Sequence, residues 1–573
     1  MMEDVSIVIA ASAGQGIQTV ESLLVAIFKK AGFHVYASKE YESRVRGGSN
    51  TTELRVAGHR VAAFRRRIDI LIPFTLGSIE HVRSRISDDT VIIADKILFK
   101  NTDPSTLSIN PILLPFREKA MEIGNWIYAN VVAVGTISAL FGIDQSVGEE
   151  ILKARFSAKG EQVSEENLKA FRSGCIMGAE LQSERALSIR IPAPPHMEGE
   201  ILMNGNEAVA LGAIAGGCNF ISAYPMSPST GVLDTLASLS EEFGIVVDQA
   251  EDEIAAMNKA IGAWYAGARA IVSTSGGGFA LMTEGLSLAG MTESPLVVHL
   301  AQRPGPATGL PTRTAQEDLN HAIYSGHGEF CRLVFAPGTI EQAFHITQRA
   351  FQIADALQIP VFVLTDQDFV DSYYNIPRID VSDLVAEHGF VSTDDGYRRY
   401  ELTADGLSPR GVPGLGEGLV RVDSDEHDEQ GHITEDMDSV RPAMVEKRVH
   451  KRIQLLQPYL EPPTVYPHPQ ASSILVCWGS NYQVVKEALD SLGSPDLSMV
   501  HFHNVFPLHP DTGPMLSNAG KVMIMENNAT GQFANLLRQQ TGYEIPQENR
   551  HLRYSGKPWS VEEVVEMLKK EGF

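Results

Sequence analysis

Along this chain, short continuous apolar runs alternate with longer stretches in which apolar residues recur at helical spacing. The short runs predict strands and the longer stretches predict helices. Short apolar runs such as Ala270–Ser273 and Pro295–Leu300 have the length and composition of buried strands. Longer stretches between such runs place apolar residues at helical spacing. Strands that alternate with helices are typical of parallel β-α-β units. We therefore predict an α/β protein that contains several doubly wound domains.

Breaks in this periodicity divide the chain into parts. The pattern predicts an α/β domain at 1–190, a proline-rich linker at 191–200, a second α/β domain at 201–372, an irregular insert at 373–470 and a C-terminal α/β domain at 471–573. The same pattern predicts one charged amphipathic helix over residues 151–188 and one strand over MVHFHNVFP (Met499–Pro507). The insert is rich in glycine, proline and carboxylates, and such a stretch is usually either disordered or functional.

Three loops of the second domain follow predicted strands and carry polar groups. They are YPMSPST (Tyr224–Thr230), STSGGG (Ser273–Gly278) and QRPGPATGLPTRT (Gln302–Thr314). Ligands of doubly wound sheets bind outside the carboxyl ends of the strands. We therefore expect the chemistry of this chain at these three loops.

Each loop also has a purely structural interpretation. Ser227 and Pro228 fit the N-cap and first position of a helix, although a hydroxyl and free N–H groups there also suit a carboxylate. The glycine turn lets a flat ligand approach the backbone, or it is only a tight crossover. Arg303 and Arg313 are either aimed at a carboxylate by the neighbouring prolines or solvated at the surface.

A helix near residue 251 begins with several carboxylates. Asp248 and Glu251 fit a D-x-x-E capping box, which predicts a structural role for both. Glu253 shares a helix face with Met257 and Ala260, so we expect it to point toward packed side chains. A carboxylate in that position can share a proton with a ring nitrogen of a ligand. Acidic residues in a first helical turn are also common because of the helix dipole.

Near the N-terminus, Gly14-Gln15-Gly16 stands where a strand leads into a helix, a place suited to phosphate or another anion. The motif lacks the third glycine of the dinucleotide fingerprint and an acidic residue for a ribose, which disfavours a stand-alone dehydrogenase. A loop with Arg44 and Arg46 follows. The expected ligand of the first domain is an anion that carries a phosphate.

Composition excludes several classes of function. The 573 residues carry a formal net charge of −24, which argues against nucleic acid or an anionic membrane surface as the main partner. No apolar run reaches the roughly 18 residues of a membrane span, and the first residues lack the basic flank of a signal peptide, so we expect a cytoplasmic protein.

The four cysteines form no CxxC pair, so we predict neither a zinc site nor an iron–sulfur cluster in this chain. The acidic run EHDEQGH (Glu426–His432) lacks a histidine pair at helical i, i+4 spacing, so no metal site is predicted there.

Several longer motifs resemble one known family. Six motifs together resemble the alpha subunit of 2-oxoacid:ferredoxin oxidoreductases, with the closest likeness to the 2-oxoglutarate type. They are YPMSPST, AEDEIAAMNKAIGAWYAGARA, TSGGGFALMTEGLSLAGM, TGLPTRTAQEDL, SDEHDEQGHITED and ENNATGQFANLL. GQG and RGG near the N-terminus resemble the gamma module of that family, here fused ahead of the alpha part. The resemblance extends over essentially the whole chain.

This resemblance implies a thiamine diphosphate enzyme that is divided between chains. This chain would supply a pyrimidine-type thiamine diphosphate domain and a transketolase C-terminal-like domain. A beta subunit would supply the diphosphate site, Mg²⁺ and a [4Fe–4S] cluster, in an assembly of the form (alpha-beta)2. The family converts a 2-oxoacid, coenzyme A and oxidised ferredoxin into acyl-CoA, CO2 and reduced ferredoxin. The absence of a GDG motif with paired asparagines from this chain agrees with that division.

The resemblance also assigns roles to single residues. Glu253 matches the glutamate that bonds the aminopyrimidine N1′ and so promotes removal of the thiazolium C2 proton. Ser227 replaces the usual threonine near the substrate, Arg313 matches the arginine that clamps the substrate carboxylate, and Gly277 replaces a common proline. The remaining expected contacts are Tyr224 and Thr312 for the substrate, Pro225, Ser275 and Gly276 for thiamine, and Gly14, Gln15, Gly16 and Arg46 for coenzyme A.

Two alternatives remain open at this point. The substrate is 2-oxoglutarate, or else pyruvate or a branched-chain 2-oxoacid, and a second basic group facing a distal carboxylate would distinguish them. The chain is catalytic, or else it is a coenzyme A-binding subunit without a catalytic role. In that second case Glu253 would be dispensable.

Overall fold

A computed structural model describes residues 3–13, 16–42, 47–185, 189–192 and 199–573. The chain forms two compact units. The first consists of Met1–Met203, Ser372–Arg378 and Ser560–Glu562, and the second of Asn204–Asp371, Ile379–Trp559 and Glu563–Phe573. Most of the predicted linker, residues 193–198, lies outside the described residues. The finer division at residues 190, 200, 372 and 470 stays a prediction.

The first unit contains a mixed sheet of eight strands. These strands are β1 (Asp4–Ala13), β2 (His34–Glu40), β3 (Gly47–Ala57), β4 (Ile70–Pro73), β5 (Val91–Asp95), β6 (Ile112–Leu114), β7 (Glu200–Asn204) and, later in the chain, β14 (Tyr373–Pro377). Their order in the sheet is β6-β5-β4-β1-β3-β2-β14-β7. Strand β3 runs antiparallel to both β1 and β2, whereas β1, β4, β5 and β6 are mutually parallel.

The helices of this unit are α1 (Ile17–Lys30), α2 (Leu76–His81), α3 (Phe116–Ile123), α4 (Ala129–Leu140), α5 (Gln145–Phe156) and α6 (Glu161–Arg185). Helix α4 is almost entirely buried and packs against α6. A methyl group on Gly135 would overlap a backbone carbonyl of α6, so only glycine allows this close approach. The single helix predicted over 151–188 is wrong, because the chain turns at Gly160, where φ is +103°.

The second unit is built around a seven-stranded sheet in the order β20-β12-β13-β11-β10-β8-β9. Its strands are β8 (Phe220–Ala223), β9 (Val246–Gln249), β10 (Ala270–Thr274), β11 (Leu296–Gln302), β12 (Leu333–Phe335), β13 (Pro360–Asp366) and β20 (Asn504–Phe506). All are parallel except β20, which is antiparallel to β12. Strands β10, β11 and β13 are buried on both faces, as their continuous apolar runs predict.

Nine α-helices directly precede, connect or follow strands β8 to β13 in the described chain. They are α7 (Gly205–Ala215), α8 (Thr230–Ser238), α9 (Ser240–Phe243), α10 (Glu253–Tyr265), α11 (Gly276–Phe279), α12 (Thr283–Met291), α13 (Leu319–Tyr324), α14 (Ile340–Leu357) and α15 (Gln367–Asp371). Strand, helix and parallel strand follow one another repeatedly, which is the doubly wound arrangement that the sequence predicts.

The C-terminal part of the chain adds a second parallel-type sheet to this unit, in the order β17-β19-β18-β21-β22. Its strands are β17 (Thr464–Tyr466), β18 (Ser473–Trp478), β19 (Leu497–Phe502), β21 (Lys521–Glu526) and β22 (Arg550–Leu552). The associated helices are α18 (Asn481–Leu492), α19 (Thr512–Asn518) and α20 (Gln532–Thr541), and α21 (Val561–Lys570) is the last helix of the chain. The single strand predicted over MVHFHNVFP is wrong, since β19 and β20 belong to different sheets.

The region predicted as an irregular insert contains little regular structure. Its elements after β14 are β15 (Phe390–Thr393), β16 (Arg410–Gly416), α16 (Val440–Val445), a π-helical stretch (Glu446–Lys451) and α17 (Arg452–Leu456). The structure excludes the disordered alternative for residues 379–457, because Tyr400 and Met444 are completely buried. Arg410 of β16 and Arg269 both pair with Asp355 of α14, which fixes the insert to the domain that precedes it.

None of the helices in the described part of the chain is both long and apolar enough to cross a membrane.

Candidate active site

The carboxyl ends of β8, β10 and β11 lie side by side, because these parallel strands are neighbours in the sheet. The loop after β8 is residues 224–229, the loop after β10 begins at Ser275, and the loop after β11 runs from 303 to 318. The structure therefore brings the three predicted polar loops to one edge of the sheet. That edge is where doubly wound folds bind ligands.

Glu253 is the first residue of α10, and only 3% of it is exposed. Met257 and Ala260 are completely buried on the same helix face, which confirms the predicted orientation of Glu253. The Oε1 atom of Glu253 is buried without a hydrogen-bond partner among the described residues. Leaving a carboxylate oxygen unpaired in the interior is costly. This atom is therefore a place where a ligand can donate a hydrogen bond.

The start of α10 differs from the prediction. Its N-cap is Asp252, whose carboxylate accepts a hydrogen bond from the Ala255 N–H at 2.8 Å. Asp248 lies on β9 instead, where it accepts a hydrogen bond from the Ser222 hydroxyl at 2.6 Å. The predicted capping box of Asp248 and Glu251 is wrong, because β9 continues through Asp248 and the helix begins later.

The glycine turn is closely packed at both ends. A methyl group on Gly278 would lie 2.5 Å from Glu253 Oε1, so this carboxylate rests against the glycine. A methyl group on Gly276 would overlap both carboxylate oxygens of Asp318. At Gly277, between them, the nearest neighbour of a methyl group would be a carbonyl oxygen 3.6 Å away. The turn thus lies between the carboxyl groups of Asp318 and Glu253, and only its middle residue, Gly277, has room beside it.

Ser275 precedes this turn at the N-cap position of α11, yet its side chain does not cap the helix. Its hydroxyl is completely buried and lacks a partner in the part of the chain that the structure describes. Glu253 Oε1 and Asp318 Oδ2 are buried and unpartnered in the same way. Because unpaired polar atoms are rare in protein interiors, three of them at one turn indicate a polar ligand.

Asp318 is a residue that the sequence analysis does not single out. It occupies the N-cap position of α13, but its side chain accepts no hydrogen bond from that helix, and its own N–H donates to Gln302 Oε1 at 3.0 Å. Burial raises the pKa of Asp318 to about 7, with a further rise from the negative charge of Glu317 and an opposing effect of Arg303. The sequence gives no signal of this, because aspartate before a helix is an ordinary cap residue.

The segment after β8 also differs from the predicted helix cap. Helix α8 begins at Thr230 with Ser229 at its N-cap position, so Ser227 and Pro228 precede the helix. The N-cap interpretation of Ser227 is therefore wrong. Ser227 is exposed, and its carbonyl accepts a hydrogen bond from Arg303 Nη1 at 2.7 Å. This bond joins the loop after β8 to the loop after β11.

The loop that carries Arg313 is anchored from two sides. The Thr314 N–H donates to the Gly556 carbonyl at 3.1 Å, and the Thr314 hydroxyl donates to Asp366 Oδ1 at 3.0 Å. The other predicted residues differ in exposure: Tyr224 is exposed, Pro225 and Arg313 are partly exposed, and Thr312 is buried. The structure thus places the predicted substrate residues on two loops beside the glycine turn.

Of the residues predicted to bind coenzyme A, Gly16 is described by the structure. It stands at the N-cap position of α1 with φ +74°, and a Cβ there would lie 2.7 Å from Asn130 Nδ2. Gly14, Gln15 and Arg46 lie outside the described residues. The anion site of the first unit therefore stays a prediction.

The acidic run Glu426–His432 is used for packing and ion pairing. Glu426 pairs with Arg441 and, at 2.9 Å, with Arg448, while the ring of buried His427 lies 3.8 Å from that of Tyr400. Among the described residues, no group of three or more His, Cys, Asp or Glu side chains could hold a metal ion.

Comparison with protein families gives two matches. A family model described as "Pyruvate flavodoxin/ferredoxin oxidoreductase, thiamine diP-bdg" matches residues 211–447, and one described as "Pyruvate ferredoxin/flavodoxin oxidoreductase" matches residues 6–176. The first match contains β8, β10, β11 and the residues around the glycine turn. This part of the chain is therefore a domain of the thiamine diphosphate-binding type.

Comparison with individual proteins agrees. The chain is 30% identical to the 2-oxoacid:ferredoxin oxidoreductase subunit alpha of a Sulfolobus species, over 98% of this chain and 96% of the relative. It is 32% identical to the 2-oxoglutarate synthase subunit KorA of Archaeoglobus fulgidus, over 58% of this chain and 88% of the relative. Among solved structures, the 2-oxoglutarate:ferredoxin oxidoreductase from Magnetococcus marinus is similar with a TM-score of 0.91 and 30% identity, over 100% of both chains.

These similarities extend from the first unit through the C-terminal sheet, and the site lies in the domain whose family model is described as thiamine diphosphate-binding. The chain belongs to the alpha-subunit family of the 2-oxoacid:ferredoxin oxidoreductases.

Proposed function

We propose that this chain is the alpha subunit, with a fused gamma-type domain, of a 2-oxoglutarate:ferredoxin oxidoreductase. The reaction converts 2-oxoglutarate, coenzyme A and oxidised ferredoxin into succinyl-CoA, CO2 and reduced ferredoxin, and it is reversible. The observation that carries the proposal is the buried carboxylate of Glu253, with Oε1 unpartnered against Gly278 in the thiamine diphosphate-type domain. The similarity to the Magnetococcus marinus enzyme over the whole chain favours 2-oxoglutarate.

The residues at the turn fit the aminopyrimidine half of thiamine diphosphate. An unpartnered carboxylate oxygen suits a protonated ring nitrogen, and the less crowded position at Gly277 leaves room for a flat ring. Glu253 would hold a proton on that nitrogen, while Pro225, Ser275 and Gly276 would line the same ring. When bound, the cofactor supplies the electron sink that decarboxylation of a 2-oxoacid requires.

The substrate would bind on the two loops beside this turn. Arg313 would bind the substrate carboxylate through charge-assisted hydrogen bonds, for which a guanidinium is well suited. Ser227 would donate its exposed hydroxyl, and Tyr224 and Thr312 would complete the contacts. Arg303 holds the backbone of Ser227 in place through the bond to its carbonyl.

The proposal includes partners that this chain does not contain. A beta subunit would bind the diphosphate of the cofactor, Mg²⁺ and a [4Fe–4S] cluster, and ferredoxin would accept the electrons from that cluster. Two alpha and two beta chains would form the enzyme. In the first unit, Gly14, Gln15, Gly16 and Arg46 would contribute to binding of coenzyme A.

The proposal is tested by purifying the chain with whatever polypeptide accompanies it in its native host. Thiamine, iron and sulfide are assayed on the complex, and reduction of a viologen dye is followed with coenzyme A and different 2-oxoacids. We expect a second polypeptide with an iron–sulfur cluster, and higher activity with 2-oxoglutarate than with pyruvate or branched-chain 2-oxoacids. A lone chain that binds only coenzyme A would support the non-catalytic alternative instead.

Replacing Glu253 by Gln tests the catalytic role within the assembled complex. The amide cannot carry the charge that holds a proton on the cofactor ring, so we expect the rate to fall by about 2–4 orders of magnitude. Glu251→Gln is the control, since Glu251 is an exposed carboxylate near the same helix start that pairs with Lys259 at 3.1 Å. Its rate should stay within about twofold of the wild type. Equal activity of the Glu253 variant would show that this chain is not catalytic.

A further inference from the structure

Asp318 and Glu253 contact opposite ends of the same glycine turn, but the proposed function uses only Glu253. The Oδ2 atom of Asp318 is buried and has no partner within the described ranges. The carboxyl group does not cap α13, although it stands at the cap position. A buried polar atom without a partner is costly, and no contact of the fold itself accounts for it. A ligand at the less crowded middle of the turn, beside Gly277, would supply the missing hydrogen bond.

The position of Asp318 indicates which ligand this is. Asp318 is the last residue of the loop after β11, which also carries Arg303 and Arg313, and the Arg303 guanidinium donates to the Ser227 carbonyl. Ser227 is a proposed substrate-binding residue, whereas Glu253 at the other end of the turn faces the cofactor. Asp318 is therefore at the substrate end of the turn.

We propose that Asp318 is a substrate-binding residue whose neutral carboxyl group donates a hydrogen bond to the carboxylate of the 2-oxoacid. This inference rests on the proposed function, because it requires that a 2-oxoacid binds over the turn. A 2-oxoacid is an anion, so an ionised Asp318 would repel it. The neutral group removes this repulsion and adds a charge-assisted hydrogen bond.

The surroundings of Asp318 determine when it is neutral. The charged groups that act on it are Glu317 beside it in the chain and Arg303 in the loop after β11, and His321 follows one turn later on α13. Burial lowers the pKa of His321, so this imidazole is uncharged around neutral pH. Burial and Glu317 together raise the pKa of Asp318 to about 7 against the effect of Arg303. Asp318 therefore changes its charge near neutral pH.

The test measures the affinity of the assembled complex for 2-oxoglutarate, or for the 2-oxoacid that the activity assay selects, between about pH 6 and pH 8. The complex carries 3-deazathiamine diphosphate, an analogue that cannot react, so calorimetry reports binding without turnover. With a pKa of about 7 for Asp318, its neutral fraction falls about tenfold over this range, and so should the affinity. Asp318→Asn keeps a hydrogen-bond donor that does not titrate, so its affinity should change by less than about twofold.

Two further variants separate charge from structure. Glu317→Gln removes a neighbouring charge but leaves the Asp318 carboxyl in place. Because the charge of Glu317 raises the pKa of Asp318, this variant should keep the loss of affinity but shift it to lower pH. Asp318→Ala removes the donor and should weaken 2-oxoacid binding at about pH 6 by roughly tenfold, as loss of one hydrogen bond does. The affinity for the thiamine analogue should stay the same in all three variants.

The possible outcomes are distinct. An Asp318→Asn complex with the pH dependence of the wild type overturns the inference. Variants that lose affinity for the thiamine analogue and bind the 2-oxoacid normally also overturn it, because Asp318 would then contact the cofactor. A wild-type complex that binds no 2-oxoacid at any pH overturns the proposed function and this inference with it.

Discussion

Three consecutive glycines at one turn have different surroundings, although the sequence makes them look alike. Gly276 lies under the carboxyl group of Asp318 and Gly278 lies against that of Glu253, while a Cβ at Gly277 would make only an ordinary contact with a carbonyl oxygen at 3.6 Å. None of the three has a positive φ, so the backbone conformation does not require glycine at any of them. The requirement at Gly276 and Gly278 comes from the side chains that pack on them.

This difference predicts that alanine weakens cofactor binding at Gly278 but not at Gly277. The methyl group of Gly278→Ala would overlap the Thr274 hydroxyl and lie 2.5 Å from Glu253 Oε1, and relieving such an overlap in a packed region costs about 1–3 kcal/mol. We expect the affinity of the assembled complex for thiamine diphosphate to fall by about 5- to 150-fold, measured by calorimetry. Gly277→Ala is the matched control and should bind the cofactor as the wild type does. Equal losses in both variants would contradict this account of the turn.

At the scale of elements, buried ion pairs attach the insert to the thiamine diphosphate-type domain. Glu293, just after α12, pairs with Lys447 at 2.8 Å and with Arg452 at 2.5 Å, and all three side chains are buried. Burial by itself would raise the pKa of Glu293, but the positive charges of Lys447, Arg452 and Arg399 outweigh it and lower the pKa to about 2. The carboxylate is thus held ionised by cations from the insert.

The pKa of Glu293 predicts how this attachment responds to acid. Since the folded-state pKa lies below the ordinary value of 4.5, the stabilisation is complete above about pH 4.5 and is lost as the pH falls through about 2. Glu293→Gln leaves buried cations without their partner, and at about pH 6 we expect it to lower the free energy of unfolding by about 3–5 kcal/mol. This difference from the wild type should shrink as the pH approaches 2. Urea denaturation at a series of pH values measures it.

An exposed ion pair provides the control for that experiment. Glu122 pairs with Lys119 on the surface of α3 at 2.9 Å. Replacing Glu122 by Gln should change the free energy of unfolding by less than about 1 kcal/mol at any pH, because solvent screens the pair. A difference between wild type and Glu293→Gln that does not vary with pH would show that the ion pairs are not the cause.

At the scale of the whole molecule, the four cysteines are largely shielded from solvent. Cys218, Cys331 and Cys477 are buried, Cys175 is partly buried, and none is in a disulfide. Burial raises the pKa of Cys175, Cys218 and Cys331 to about 12, and it raises that of Cys477 as well. These thiols are therefore neutral at physiological pH and weakly nucleophilic.

This arrangement predicts that the folded chain reacts slowly with a thiol reagent. At about pH 8, a disulfide reagent such as 5,5′-dithiobis(2-nitrobenzoic acid) should modify the native thiols at least about tenfold more slowly than a free cysteine, because little thiolate is present. In urea, all four should react at the rate of the free amino acid. Rapid reaction of a native thiol would contradict this description.

Much of the architecture was predictable because it depends on local patterns. The continuous apolar runs of β10, β11 and β13 indicate strands buried on both faces, and the structure confirms them. The orientation of Glu253 follows from its spacing to Met257 and Ala260, which any regular helix would preserve. The helix starts were predicted less well, since Asp248 and Ser227 fit cap motifs that the folded chain does not use.

By itself, then, the sequence determined the α/β class, the three polar loops at the carboxyl ends of the strands, the burial of Glu253 and the resemblance to the family. All of these depend on residues within a few turns of one another or on motifs that can be read in order. Only the tertiary structure decided that Asp318 lies on Gly276, that Glu293 is held by the insert, and that β20 joins the sheet of a preceding domain. Each of these contacts joins segments far apart in the chain, where packing and burial select the partner and no local periodicity records it.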